Sequence, residues 1–329
     1  GSMNHIIKRI AILSGVFAAA LGVFFFANNR WNSGQDQAVY MDMESATLPG
    51  ITMQMAGRSM NRLYGYRQEM NTAAAGETLT ILPEDRALNI QISGGGVTGI
   101  HYEIRSMDRE RLVEKTDLTD WQQTENGILA ALPIQNLLTK EREYQLKIQL
   151  DTENFGPVYY YTRILWTDAA EHASDMINLA ADFSTKTFDY EQARSLTTYL
   201  ETSPSEDNTT FGHTSIHSSF SQLTWGKLGM QPQGNVEIRL KELDGVMCSV
   251  QLSYQAKRQG EGGEETYEVE ENFTMKWNEL RIYLMQYDRT VNQIFAGDRS
   301  EYSGKRILLG ITGDDRVEAV KSAGGNVTA

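Results

Sequence analysis

One cysteine in 329 residues excludes an internal disulfide and any zinc site built from several thiolates. Five histidines leave little material for imidazole-rich metal chemistry. Basic residues are also in deficit: 30 Lys and Arg stand against 43 Asp and Glu, for a formal charge of −13 and a pI near 4.9. Nucleic acid is bound by Lys and Arg replacing condensed counterions, so this balance argues against a nucleic-acid partner. The sequence has no Gly-x-Ser-x-Gly nucleophile elbow, no Ser-x-x-Lys pair and no internal repeat of solenoid length. What remains is 40% hydrophobic and 22% charged, the composition of an ordinary folded chain with room for two domains.

One long apolar run is present. Ile10 to Ala27 is free of charge and would span about 27 Å as a helix, close to a bilayer's hydrocarbon thickness. Phe24-Phe25-Phe26-Ala27 puts Phe25 at the −3 position of the obvious cleavage point, which argues for an uncleaved anchor over a removed signal. Lys8 and Arg9 precede the run and Arg30 follows it, so the positive-inside rule places residues 1–9 in the cytoplasm. Gly1-Ser2 before Met3 reads as a remnant of tag removal. The expectation is a single-pass cell-membrane protein with its C-terminal bulk extracytoplasmic, joined by a polar linker at 28–45.

From residue 46 to 167, short runs with strand character alternate with turn signals. Leu88-x-Ile90-x-Ile92, Tyr144-x-Leu146-x-Ile148-x-Leu150 and Tyr160-x-Thr162-x-Ile164-x-Trp166 have the period of two that places one face on a core. Seven such runs with turns every ten residues or so predict an antiparallel sandwich. Leu137 lies seven residues before Tyr144, which opens an alternating strand. In this the region resembles fibronectin-type-III and immunoglobulin-like modules. The resemblance implies that the Tyr144 hydroxyl ties a corner of the sandwich to the backbone; the paired cysteines and central tryptophan of true immunoglobulin domains are missing.

The period changes at Asp168. Ala169, Ala173, Met176, Ile177, Ala180 and Phe183 recur at helical spacing, and a second helix is expected from Tyr190 to Leu200. Strand-like runs return at 215–225, 236–243, 246–256, 267–277 and 280–287, with Asp244-Gly245 as a hairpin turn. Helices followed by a meander predict an α+β domain at 168–300 with its helices on one face of an antiparallel sheet. The order of elements resembles that of cystatin-like and nuclear-transport-factor-like folds. Residues 301–329 read as a β-rich tail, either the truncated start of a further domain or a short C-terminal hairpin.

No candidate for chemistry reaches a full constellation. His213 and His217 would share a helix face, but the Ser- and Thr-rich surroundings favour a strand, which sets them about 13 Å apart. Asp151-x-Glu153-Asn154-x-Gly156 has the opening of a calcium loop, with Phe155 where an oxygen ligand is needed. Gly94-Gly95-Gly96 lies between strands, away from any helix start that would cradle phosphate. Cys248 reads as a buried strand residue. Glu264, Glu265, Glu268, Glu270 and Glu271 read as a solvated acidic hairpin. Tyr159, Tyr160, Tyr161, Trp166, Trp225, Trp277, Tyr283 and Tyr287 divide between core and contact surface, with Arg281, Tyr283, Met285 and Tyr287 sharing one amphipathic face.

The reading is therefore a non-catalytic binding, scaffold or sensory-accessory protein of the cell envelope. No catalytic, cofactor or metal residue is assigned. Its expected partners are the membrane through Ile10–Ala27 and a protein at the envelope, with a glycan as a further ligand. The alternative is an envelope glycan hydrolase with paired carboxylates in the α+β region or beyond it.

Overall fold

The structure, a computed structural model, describes residues 47–70, 76–136, 138–203, 211–294, 306–308, 318–321 and 327–328. The first ten strands are β1 (Gly50–Met55), β2 (Arg58–Leu63), β3 (Leu79–Ile81), β4 (Ala87–Ser93), β5 (Val97–Ser106), β6 (Leu112–Leu118), β7 (Gln122–Thr124), β8 (Gly127–Pro133), β9 (Glu143–Thr152) and β10 (Gly156–Leu165). They form two five-stranded sheets, ordered β2-β1-β4-β8-β7 and β3-β10-β9-β5-β6. All neighbours are antiparallel except β3, which runs parallel to β10. Alternation does the packing. Ile51, Met53, Leu88, Ile90 and Ile92 of the first sheet share one core with Ile100, Tyr102, Tyr144, Leu146, Ile148 and Tyr160 of the second. Where that core closes at a corner, the Tyr144 hydroxyl accepts a 3.0 Å hydrogen bond from the Thr139 amide; Leu137 lies outside the described residues.

The run from Pro49 to Met70 is a hairpin followed by a strap. β1 and β2 pair across Met55–Arg58. The chain then crosses the second sheet, where Tyr66 bridges Tyr159 and the Met70 amide donates to the Tyr161 hydroxyl at 2.7 Å.

Beyond the sandwich lie helix α1 (Ala170–Lys186), the single turn α2 (Tyr190–Ala193) leading into a 3-10 segment (Arg194–Tyr199), β11 (His213–Ser215) and the short α3 (Phe220–Leu223). Four long strands follow: β12 (Gln231–Asp244), β13 (Met247–Gly260), β14 (Gly263–Trp277) and β15 (Ile282–Ile294), in a third sheet ordered β11-β15-β14-β13-β12. Met176, Ile177, Ala180 and Phe183 of α1 bury against Leu240, Val250, Leu252, Phe273, Met275 and Tyr287 of this sheet. Residues 306–308, 318–321 and 327–328 form a separate antiparallel sheet of β16, β17 and β18.

Two expectations need correction. The fold class, a membrane helix followed by an immunoglobulin-like sandwich and an α+β domain, gives way to a predominantly β architecture of antiparallel and mixed sheets with three helices among the described residues. The expected second helix at 190–200 fails for a local reason. Asp189 caps its first turn, but the Ser195, Thr197 and Thr198 hydroxyls donate to carbonyls three residues back and the chain tightens into 3-10 geometry. The membrane-spanning helix, and the single-pass cell-membrane location with its membrane contact, is also overturned. Among the described residues no helix is long and apolar enough to cross a membrane. The longest, α1, has 17 residues and carries Glu171, Asp175, Asp182 and Lys186. Ile10–Ala27, on which that expectation rested, lies outside the described residues.

The sandwich and the third sheet share a core, since Met60, Leu79, Ile81 and Leu165 pack in the same cluster as α1 and the long strands. Asn61 is the polar joint. It is 0% exposed, and its amide donates to Leu79 O at 2.8 Å and to Thr80 Oγ1 at 3.2 Å while its carbonyl accepts from the Leu240 amide at 2.8 Å. Its φ of +50° lies in the left-handed region, which Asn tolerates better than most side chains. Arg163 makes a second joint. Its guanidinium binds Glu143 and Glu242 and donates to the carbonyl of Lys241, the residue left unpaired at a bulge in β12. Asn61→Ala should leave the Leu240 amide and a strand carbonyl without partners inside a dry joint. A loss of about 2–4 kcal/mol is expected in urea unfolding, far above that of an exposed Asn→Ala control.

Candidate binding groove and buried carboxylate network

Register in the long sheet sorts its side chains onto two faces. On β14, Val269, Glu271, Phe273 and Met275 all point to the core and are buried, while on the other face Glu268 is half-buried and Glu270 and Asn272 are exposed. The acidic hairpin is thus divided: Glu264, Glu268 and Glu270 lie in the outer phase, Glu265 shares the inner phase near the hairpin end and accepts from Arg258 and Tyr267, and Glu271 is 0% exposed. Glu271 is held by neutral donors, with Ser184 Oγ at 2.8 Å and the Tyr254 hydroxyl on Oε1, and the Tyr287 hydroxyl at 3.0 Å on Oε2. Burial, and then the Glu271 charge, push both phenols well above their ordinary pKa, so they remain donors.

Directly opposite Glu271 in the ladder is Arg289, also 0% exposed. Its guanidinium lies 3.5 Å from the ring centroid of Trp225 and donates to Leu223 O at 2.8 Å, Gln222 O at 3.0 Å and Thr214 Oγ1 at 3.3 Å. These partners come from β11 and α3, so the buried arginine fastens the sheet edge to the loop that covers it. The carboxylate, phenols, guanidinium and indole are in contact with one another or with backbone. The arrangement is a polar core whose donors and acceptors serve the fold, with Arg289 Nε left without a hydrogen-bond partner.

The outer face of the same sheet is different. Cross-strand pairing aligns three rows: Gln233–Gln255–Glu268–Asn292, Glu237–Ser253–Glu270–Thr290, and Arg239–Gln251–Asn272–Asp288. Every one of these positions is an amide, hydroxyl, carboxylate or guanidinium. Where β2 of the sandwich approaches, Tyr64 closes one side and the first two rows become the floor of a groove of about 590 Å³. Tyr64 is pinned there. Its hydroxyl meets both Glu237 oxygens at 3.0 and 3.1 Å, and the Arg62 and Arg239 guanidinium carbons lie 5.4 and 5.9 Å from its ring centroid. Gly234, at φ +71°, marks the bulge between Gln233 and Glu237 that widens the groove mouth.

The residues singled out by sequence scatter. His213 Nε2 is 3.3 Å from Asp288, whereas His217 Nδ1 is 2.9 Å from the Glu201 carbonyl oxygen, so the two imidazoles serve different partners. Among the described residues no group of three or more His, Cys, Asp or Glu could hold a metal ion. Asp151 binds His101 and Gln149, and the Glu153 amide donates to Gly96 O, so the Asp151–Gly156 stretch is a hairpin end and Gly94–Gly96 the turn beside it. Cys248 is 1% exposed, and burial pushes its thiol up to about 12.

The aromatics are mostly structural. Tyr160 is buried with its hydroxyl on Pro49 O, Tyr161 holds the strap, Trp166 lies beneath Arg86 and Lys140, and Trp277 stacks on His172 at 3.6 Å. The amphipathic face expected on β15 does not persist along the strand. Thr274 pairs with Gln286 but Met275 pairs with Leu284, so Met285 is an unpaired bulge. Tyr283 and Met285 stay outside, while Tyr287 and Arg289 turn to the core. Glu271 and Arg289 were missed by motif searching, although Val269-x-Glu271-x-Phe273-x-Met275 shows the signal: a charge in the apolar phase of a strand.

Arg289→Met should remove the fastening of the edge and leave Glu271 without its cross-strand cation. A loss of about 3–5 kcal/mol is expected by chemical denaturation, whereas Glu270→Gln on the opposite face should stay within about 0.5 kcal/mol.

No family model matches the chain and no curated protein matches it, so its function is read from this geometry.

Proposed function

We propose that the chain is a non-catalytic binding module that engages a protein partner through the outer groove of the long sheet, and that the partner presents basic side chains. The observation that supports this is the in-register polar grid: four carboxylates, Glu237, Glu268, Glu270 and Asp288, stand among amides and hydroxyls with Arg239 as the one cation of the three rows. An extended segment laid across such rows meets an acceptor or donor at each strand spacing of about 4.8 Å. The negative field favours Lys and Arg and raises the rate of encounter. Glu237 and Glu270 are already oriented, the first by Tyr64 and Arg239 and the second by Asn272 at 3.2 Å, which lowers the ordering cost of binding.

The test compares labelled peptides of equal length, one Lys- and Arg-rich and one Glu-rich, titrated with the full chain by fluorescence anisotropy. The basic peptide should bind with an affinity that falls as salt is raised, and the acidic one should not. Glu268→Lys with Glu270→Lys should weaken the basic peptide by about tenfold or more, equal to about 1.4 kcal/mol. Reversal at Glu84, in the turn before β4, should leave it unchanged. Binding insensitive to the groove reversals would refute the assignment, and cross-linking mass spectrometry on the same samples locates the contact.

A further inference from the structure

The outer face of the sandwich carries a cluster of different design. His101 sits near the middle of β5, with Asp117 of the edge strand β6 on one side and Asp151 of β9 on the other. Its Nδ1 lies 2.6 Å from Asp117 Oδ1 and its Nε2 lies 2.8 Å from Asp151 Oδ2. A neutral imidazole has one N–H and one lone pair, so it donates to one carboxylate and turns a lone pair on the other. Two contacts this short on ionised carboxylates require a donor at both nitrogens, which is the imidazolium.

The surroundings favour this arrangement. Gln149 Nε2 donates to Asp151 Oδ1 at 2.9 Å and fixes that carboxylate. Position 99 is a glycine. A Cβ there would stand 3.0 Å from Asp151 Oδ2 and 3.1 Å from His101 Nε2, crowding the contact. The other charges on this face pair among themselves one rung away. Glu103 of β5 is the centre of that rung, with Arg105 bonded to it, Lys147 of β9 at 3.6 Å, and Lys115 of β6 across the ladder. Glu69 of the strap takes the other side of Lys147, and Glu153 lies past Gly96 at the near end of the sheet. Arg105 and Lys147 are engaged with Glu103 and Glu69, and Lys115 stands opposite Glu103 one rung from Asp117, so the imidazolium is the cation between Asp117 and Asp151.

We propose that Asp117, His101 and Asp151 form a proton-operated clasp that fastens the edge strand β6 to the middle of its sheet and opens as pH rises. The direction of titration agrees with the geometry. The hydrogen bond to Asp117 is the largest influence and, against partial desolvation and with help from Asp151, holds the imidazole above its ordinary 6.5. Asp151 is lowered by its bonds from Gln149 and His101. For a histidine raised in the folded state, the stabilisation is complete below the unfolded pKa and is lost as pH climbs through the folded one. The window therefore begins near neutrality and extends upward. Above it, the imidazole keeps one partner, and the face carries one more unit of negative charge.

The test uses the full chain. Carbon-detected NMR of the His101 ring should give a pKa above 6.5, and Asp117→Asn and Asp151→Asn should each lower it by about half a pH unit or more. Hydrogen exchange of the β6 peptide, corrected for intrinsic pH dependence, should show less protection above the His101 pKa than below it. That pH response should vanish in His101→Gln and weaken in Gly99→Ala. A His101 pKa at or below 6.5 would overturn the clasp. So would β6 protection that does not change with pH, or that changes equally in His101→Gln.

Discussion

Met285 has no partner on the neighbouring strand, and the faces of the long sheet depend on that bulge. Without it, continued alternation from Ile282 and Leu284 would place Gln286 and Asp288 in the core and send Tyr287 and Arg289 to solvent. With the extra residue, Tyr287 reaches Glu271 and Arg289 reaches Trp225, and Asp288 joins the outer grid. A second bulge, at Lys241 on β12, works in the same way. It keeps Leu243 opposite Cys248 in the core and frees the carbonyl that Arg163 of the sandwich engages. Two inserted residues thus set the polar core, the binding face and the joint between the halves.

This explains what could be read from sequence and what could not. Tyr144 to Leu150, Leu88 to Ile92 and the α1 face at Ala173, Met176, Ile177 and Ala180 were legible because regular periods carry them and packing leaves those periods intact. The amphipathic stripe on β15 was misread because a bulge changes phase without changing composition. Glu271 was taken with its acidic neighbours, since charge counts along a hairpin ignore which phase a residue occupies. The groove was invisible for a further reason. Its floor is four strands whose pairing brings Glu237 beside Ser253 and Glu270 beside Thr290, and its side is Tyr64, 173 residues before Glu237. No local pattern encodes that meeting. The contacts of Asn61 and Arg163 across the joint are equally remote in sequence.

The two faces of the long sheet also handle charge in opposite ways. Inside, Glu271 and Arg289 occupy fully buried positions, and every neighbour is a fixed dipole, a ring or a backbone carbonyl. Removal of either partner is costly there, because desolvation of the other charge no longer has an offset. Outside, Glu268, Glu270 and Asp288 stay hydrated, and any one contributes little to folding. Stability therefore constrains the inner charges and leaves the outer ones free to be set by what binds. Three aligned rows made solely of polar groups, on strands of 13 to 15 residues, are more uniform than solubility needs.

The sandwich offers an instructive contrast in how an edge is protected. Edge strands with free amides and carbonyls recruit other strands unless something blocks them. On β6 the Val113 carbonyl is taken by the Asn136 side chain, and Glu114, 6% exposed, accepts the Gln135 and Asn136 amides. The edge is thereby covered at its first half by the segment after β8. Its second half, Thr116 to Leu118, lacks that cover and holds Asp117. The His101 bridge falls where backbone protection gives out, and a charge-assisted hydrogen bond there does for the far half of β6 what buried Glu114 does for the near half. The difference is that Glu114 is held by two backbone amides, whereas the bridge works only while the imidazole holds its proton. One edge strand is thus fixed by the backbone at one end and by a proton at the other.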